Sequence, residues 1–185
     1  EKLHEATMVT SFFLESIQKI VDFEAVVSAN RDSGTLRKAK VMGFGDKYIA
    51  KLWGVPEGEV YDRRVAEGIL PVYRMVDTCH TNAYIPYFYS TYTGENQSPA
   101  SERKKIVVLG AGPIRIGQGV EFDYSTVHAV QTIRKSGYEA IIINNNPETV
   151  STDYTTADKL YFAPLTPEDV MNIIALEKPL GVIAS

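Results

Sequence analysis

Residues 104–119 read KKIVVLGAGPIRIGQG, and this stretch decides the fold of the second half of the chain. The run IVVL is continuously apolar, as expected of a strand that is buried on both faces of a parallel sheet. The glycines that follow permit a turn in which the backbone approaches its neighbours closely. In an open α/β sheet, loops of this kind lie at the carboxyl ends of the strands, where ligands bind.

Strand and helix patterns alternate after this glycine-rich loop. A helix is predicted from about residue 120 to 136, and strands are predicted in the runs AIIINNN, KLYFAP and LGVIA. Thr166 and Pro167 are typical N-cap and first-turn residues of a second helix. The alternation predicts an open parallel sheet, Rossmann-like in type, over residues 104–185.

The first half of the chain differs in pattern and is predicted to form a small helical domain over residues 1–100. Apolar residues recur at helical spacing within 6–27. Ser33 and Asp46 are predicted N-caps of two short helices, which end at Gly43 and Gly54. The polar stretch TGENQSPASE then follows as a linker. The predicted fold class is therefore α + α/β, with two domains.

The composition excludes several classes of protein. The 185 residues are 44% apolar and 23% charged, as in ordinary globular proteins, and the net charge of -4 argues against nucleic-acid binding. Cys79 is the one cysteine, so no disulfide can form within the chain and a reducing compartment is expected. No apolar run approaches the roughly 20 residues of a membrane span. Because the chain starts without Met and stops in a strand-like run, we expect a fragment of a longer protein.

Three motifs in the first half have competing interpretations. DKYIAKLWGVPEGEVYDRRV has the shape of a helix-turn-helix, but the acidic residues beside Arg63 and Arg64 favour a packed αα-hairpin. The aromatic run at 84–92 lacks interleaved cations, which favours a core or an interface over base stacking. Cys79 and His80 are adjacent, a poor arrangement for mutual activation or for a zinc site.

The glycine-rich loop is a poor match to a dinucleotide-binding turn. Gly110 and Gly112 occupy the first two places of G-x-G-x-x-G, but Arg115 occupies the third. The second strand ends in the three asparagines 144–146, where an acidic residue would bind the ribose. The loop therefore predicts some other ligand.

Charges of both signs surround the same loop. Gly117 and Gly119 expose backbone N–H groups before a helix, and Arg115 adds a positive charge, which together favour an anion. Glu121 and Asp123 add negative charge, which either serves a small polar acid or stabilises the first turn through the helix dipole. Glu148 and Thr149, after the second strand, are predicted to lie at the same edge.

No nucleophile–base pair, P-loop or metal cluster is recognisable in the sequence. His128, inside a predicted helix, is expected to pack or to lie at the surface. No residue is therefore predicted to be catalytic or to bind a metal.

The run LGAGPIRIGQGVEFDYSTVHAVQTIRKSGYEAIIINNNPETVSTDYTTADKLYF closely resembles the large subunit of carbamoyl phosphate synthetase. RIGQG and NPETVSTDY resemble the start of the second, carbamoyl-phosphate-forming half. VYRMVDTC and YFYSTY, with the helical region before them, resemble the oligomerisation domain between the two halves. The resemblance implies that 104–185 is an incomplete pre-ATP-grasp domain.

The resemblance also implies a function. The family's enzyme is an ATP-dependent ligase that makes carbamoyl phosphate from bicarbonate, glutamine-derived ammonia and two ATP, for arginine and pyrimidine synthesis. It is cytoplasmic, uses Mg or Mn and potassium, and works with a glutamine amidotransferase small subunit. The residues that would line its carbamate passage are Arg115, Gln118, Glu121 and Glu148. The fragment itself is expected to hold no cofactor, to form homo-oligomers through its helical domain, and to be inactive alone.

Two other functions stay open on the sequence. A non-enzymatic dimerisation or interaction module would use the helical domain to self-associate and the α/β part as a scaffold. A Rossmann protein that binds NAD would be stabilised by that cofactor, and the altered glycine motif argues against it.

Overall fold

The computed structural model describes residues 2–77, 83–112, 121–147, 149–153 and 155–184, with only the backbone described for 121 and 122. The chain divides into two compact units, Glu1–Leu70 and Pro71–Ser185. Of the described helices, none combines the length and the apolar character that crossing a membrane requires.

The first unit is helical. Its five helices are α1 (Lys2–Thr7), α2 (Ser11–Ala29), α3 (Ser33–Val41), α4 (Asp46–Trp53) and α5 (Glu57–Ala66). Gly43 and Gly54 follow α3 and α4 with positive φ, which confirms the predicted helix ends. The core contains Val27, Leu36, Ile49 and Val60, all fully buried.

Two predicted N-caps in this unit are wrong. The N-cap of α3 is Asp32, whose Oδ1 accepts a hydrogen bond from the Thr35 backbone N–H at 3.0 Å, and Ser33 is the first helical residue. The N-cap of α4 is Gly45, and the Asp46 carboxylate turns to buried cations instead. Asp46 accepts from Lys40 Nζ at 2.9 Å and from Arg64 Nε at 2.6 Å.

The packed hairpin is the better description of α4 and α5. Arg64 is fully buried against Asp46 and so is withdrawn from any phosphate. Trp53 is buried, and its Nε1 donates to the Val27 carbonyl at 2.8 Å. Arg64 and Trp53 therefore both hold the helices of this unit together.

The second unit is an α/β sheet. Its elements are β1 (Val72–Met75), β2 (Tyr87–Thr91), β3 (Lys105–Leu109), α6 (Glu121–Lys135), β4 (Glu139–Asn144), a short 3-10 turn at Val150–Thr152, β5 (Lys159–Phe162), α7 (Pro167–Glu177) and β6 (Gly181–Ala184). The strand order is β1-β2-β5-β4-β3-β6, and all pairs are parallel except β1 with β2. The α + α/β class and the open, mostly parallel sheet are as the sequence predicts.

The boundary between the units lies earlier than the expected change near residue 100. β2 pairs in parallel with β5, through Phe88 and Tyr161, and β1 pairs with β2. Phe88 is fully buried, and its ring lies 5.6 Å from that of Tyr161. The aromatic run at 84–92 thus contains β2, an inner strand of the sheet, so β1 and β2 belong to the α/β unit.

Helices cover both faces of the sheet. Val130 and Ile133 of α6 pack with Ile142 and Leu160 on one face. On the other face, Ile173 of α7 packs with Val107 and Ile141. All six residues of β4 are buried, as a continuous apolar run in a central parallel strand predicts. Thr166 caps α7, accepting from the Asp169 backbone N–H at 3.2 Å, as predicted.

A buried ionic group lies where the strands begin. Glu177, at the end of α7, accepts from Lys105 Nζ at 2.9 Å and from Lys159 Nζ at 2.6 Å. The Tyr161 hydroxyl donates to the same carboxylate, and all four side chains are nearly inaccessible. Burial, and next the charge of Glu177, raise the pKa of Tyr161, so its hydroxyl stays protonated as a donor. The group ties α7 to β3 and β5.

Candidate functional site at the carboxyl edge of the sheet

The loops after β3 and β4 leave the sheet at the same edge. The two strands run parallel with Leu109 opposite Ile143, and the Gly110 N–H donates to the Ile143 carbonyl at 2.8 Å. Gly110 thus follows β3 directly, and Asn144 is the last residue of β4. This is the edge at which open α/β sheets bind ligands.

The first two glycines of the loop meet local packing needs. A Cβ at Gly110 would lie 2.5 Å from Cγ of Asn144, which is buried, so only glycine fits beside this side chain. Gly112 has φ of +75°, a conformation that side chains disfavour. Both predicted glycines therefore lie at the edge, and their roles are explained without a phosphate.

The end of β4 lacks the acidic group of a dinucleotide site. Asn144 is turned beneath Gly110, and its Oδ1 accepts from the Asn146 backbone N–H at 3.3 Å. The side chain therefore fixes the turn after β4 instead of presenting a carboxylate to a ribose. The geometry agrees with the sequence in disfavouring a dinucleotide.

Asp123 joins the first turn of α6 to the segment that follows β4. Its side chain is buried, and Oδ2 accepts a hydrogen bond from the Ser151 backbone N–H at 2.6 Å. The carboxylate therefore does more than offset the helix dipole, the simpler role that the sequence left open. It fixes the short turn Val150–Thr152 against the helix.

Further hydrogen bonds hold the same turn. Thr149 and Thr152 form a capping box, in which the Thr149 N–H donates to Thr152 Oγ1 at 3.2 Å. The Thr152 carbonyl accepts from the Tyr87 hydroxyl at 2.6 Å, which connects the turn to β2. The turn Val150–Thr152 is thus held by hydrogen bonds to α6 and to β2.

The structure places only part of the predicted site. Gly110 and Gly112 lie at the carboxyl edge, and the backbone of Glu121 begins α6. Arg115, Gly117, Gln118, Gly119 and Glu148 lie outside the described residues, as does the side chain of Glu121. Their convergence on a small acid stays a prediction, and so does the interpretation of Cys79 and His80, which also lie outside.

Two further expectations from the sequence concern His128 and metal binding. His128 is exposed on α6 and contacts Tyr124, with ring centroids 4.1 Å apart and the rings tilted by 56°. Among the described residues, no group of three or more His, Cys, Asp or Glu side chains could hold a metal ion.

Sequence reasoning missed Ser151 and Thr126, which lie buried beside Asp123. Ser151 acts through its backbone N–H, a group that every residue except proline carries, so no motif marks it. Thr126 is a single hydroxyl three residues after Asp123 on α6. An i, i+3 pair with a carboxylate could have drawn attention to it.

Comparison with protein families matches both units. The model of the carbamoyl phosphate synthase preATP-grasp domain matches residues 102–185. The model of the carbamoyl-phosphate synthetase large chain, oligomerisation domain, matches residues 1–68. The two matches fall on the α/β sheet and on the helical unit described above. The chain therefore belongs to the carbamoyl phosphate synthetase large-chain family, of which it carries an oligomerisation domain followed by a pre-ATP-grasp domain.

Proposed function

We propose that the chain is part of a glutamine-dependent carbamoyl phosphate synthetase, an ATP-dependent ligase of arginine and pyrimidine synthesis. The observation that supports this most is the presence of the two large-chain domains in this order on one chain. The helical unit joins copies of the large subunit. The α/β unit begins the half that phosphorylates carbamate.

The carboxyl edge of the sheet is the part of this chain that meets the reaction. Arg115, Gln118, Glu121 and Glu148 line a passage for carbamate, with Arg115 attracting the acid and the carboxylates ordering its amino group. ATP, Mg or Mn and potassium are held elsewhere in the complete enzyme, and the amidotransferase small subunit supplies ammonia in the cytoplasm. The isolated chain is inactive, and turnover of ATP with carbamate by the purified chain would contradict this.

The surface that joins copies is formed by exposed apolar side chains of α1, of α2 and of the segment between them. Nine large apolar side chains between residues 3 and 26 are exposed, namely Leu3, Met8, Val9, Phe12, Phe13, Ile17, Ile20, Val21 and Val26. Phe12 is 72% exposed and Ile17 56%. The helical stripe recognised in the sequence therefore lies largely outside the core of the unit, while Phe23 and Val27 farther along α2 are buried.

The size of this surface fits a second copy of the chain. Monomeric proteins rarely expose apolar patches larger than a few hundred Å². Large side chains offer on the order of 150 Å² each, and nine that are about half exposed approach the roughly 800 Å² that each partner buries in a typical interface. The match to an oligomerisation domain supports the same occupant. A dimerisation module without ligase function, the second candidate, would use this surface too.

Replacing Ile17 by aspartate should abolish self-association without unfolding the helical unit. A buried charge at the interface costs far more than it does at the exposed position of the monomer. Sedimentation equilibrium of the purified chain should show a dimer or higher oligomer, and the I17D variant should sediment as a monomer. Unchanged Trp53 fluorescence would verify the fold, since Trp53 is the single tryptophan.

Val65→Asp is the matched control. It makes the same change at an exposed position of α5, outside the surface that joins copies, and should leave the oligomer intact. A parent chain that is already monomeric at high concentration would contradict the proposed surface. Stabilisation of the chain by NAD, which we expect to be absent, would favour the Rossmann alternative over both.

A further inference from the structure

Three buried polar atoms on α6 and on the turn Val150–Thr152 have no hydrogen-bond partner. They are Asp123 Oδ1, Thr126 Oγ1 and Ser151 Oγ, and within the described part of the chain none of the three is satisfied. Asp123 is 3% exposed, and Thr126 and Ser151 are 1% exposed. Native proteins leave few buried polar atoms unpaired, so each such atom requires an explanation.

The three side chains lie on two elements that contact each other, namely α6 and the turn Val150–Thr152. Asp123 and Thr126 are three residues apart on α6 and so share a face of the helix. The Ser151 N–H donates to Asp123 Oδ2 at 2.6 Å, which brings the Ser151 side chain to the same carboxylate. Thr126 makes no bond to the helix backbone, although threonine hydroxyls in helices commonly do. The unpaired atoms thus surround the contact between α6 and Val150–Thr152.

The chemistry of these atoms defines what can bind there. The carboxylate oxygen accepts only, whereas each hydroxyl can donate or accept. An anion would be repelled by Asp123, and a cation is disfavoured by the N–H dipoles at the start of α6. A small neutral molecule that both donates and accepts meets all three demands. Water does so, and buried waters typically make about three such bonds.

We propose that one buried water molecule binds Asp123 Oδ1, Thr126 Oγ1 and Ser151 Oγ. It completes the hydrogen bonding of the carboxylate that fixes the turn after β4. The water therefore connects α6 to the turn Val150–Thr152. This site depends on the fold of the α/β unit and stands whether or not the proposed function is correct.

The Thr126→Val variant tests the site by whether it destabilises or stabilises the α/β unit. Valine keeps the shape of threonine and removes only the hydroxyl, so loss of a bond to water should raise the unfolding equilibrium constant on the order of fivefold. If the hydroxyl is truly unpaired, the same change should stabilise the unit. The measurement is the denaturant dependence of amide exchange in β4, which reports unfolding of the α/β unit.

Thr132→Val is the matched control on the same helix. The Thr132 hydroxyl is exposed and donates to the His128 carbonyl at 2.8 Å, so this variant measures the effect of valine on α6 alone. The proposal requires the T126V variant to be less stable than the T132V variant. Ser151→Ala should also destabilise the α/β unit. A T126V variant as stable as T132V, or more stable, would overturn the proposal.

A crystal structure of the chain gives the direct readout. A water within hydrogen-bond distance of the three oxygens would confirm the site, whereas a dry site would overturn it. A monovalent cation is the competing occupant that the test must distinguish from water. A midpoint of unfolding that rises in potassium or sodium chloride but not in choline chloride at equal ionic strength would then overturn the assignment to water.

Discussion

Replacing Glu177 by alanine is expected to destabilise the α/β unit strongly. The substitution leaves Lys105 and Lys159 buried without their common carboxylate, and Tyr161 loses its acceptor. Breaking a buried ion pair by removing one partner typically costs about 3–5 kcal/mol, and here two cations are left. Small domains are stable by about 5–15 kcal/mol, so the loss is a large part of the total. Amide exchange in β4 should accelerate strongly.

Two further variants make this expectation specific. Glu102→Ala, at an exposed carboxylate of the same unit, should leave exchange in β4 unchanged. Substituting methionine for Glu177, Lys105 and Lys159 together should recover much of the stability, since apolar residues can replace a buried ion group at little cost. Retention of full protection in the Glu177→Ala variant would show that the buried charges contribute little.

The same carboxylate predicts a dependence on pH. Burial alone would raise the pKa of Glu177, but hydrogen bonds from Lys159, Tyr161 and Lys105 outweigh it and lower the pKa below its ordinary value of 4.5. A carboxyl with a lowered folded-state pKa stabilises the fold fully above the unfolded-state value and loses this effect as the pH falls through the folded-state value. The α/β unit should therefore weaken below about pH 4.5, and less so in the triple methionine variant.

Replacing Asp46 by alanine should have a comparable effect on the helical unit. Asp46 is fully buried between Lys40 and Arg64, and its loss leaves two cations in the core. The free energy of unfolding should again fall by about 3–5 kcal/mol, which is a large part of the total for so small a unit. Trp53 lies in this unit and is the single tryptophan, so its fluorescence reports the unfolding directly.

Asp62→Ala is the control for this variant. Asp62 is an exposed carboxylate of α5, and its removal should shift the fluorescence midpoint little. Because the probe lies in the helical unit, an unchanged midpoint in the Asp46→Ala variant would mean that the unit tolerates the buried cations. Exchange in β4 gives an independent measure of the other unit.

Local pattern predicts the elements of this chain well. The apolar runs around Val107 and Ile141 became buried parallel strands, and Thr166 caps its helix as expected. The sequence does not indicate which distant strands pair with each other. β2 lies beside β5 because Phe88 and Tyr161 pack together, and nothing near residue 88 indicates a partner more than 70 residues away.

Asp46 and Asp123 show why local rules are insufficient for buried polar side chains. Asp46 has the residue type and position of an N-cap, yet two buried cations bind its carboxylate. At the candidate site, the sequence indicates Gly110 and Gly112 but not the partner of Asp123. That partner is the backbone N–H of Ser151, which only the tertiary structure brings near.

We propose that this chain supplies part of the carbamate passage of a carbamoyl phosphate synthetase. The most direct measurement is the amount of ATP consumed for each carbamoyl phosphate formed by the complete synthetase. With Arg115→Ala or Glu148→Ala, carbamate made at the first site should be lost before the second phosphorylation, and the ratio should rise several-fold. Lys135→Ala, at the exposed end of α6, should leave the ratio unchanged. An unchanged ratio in both passage variants would contradict the account.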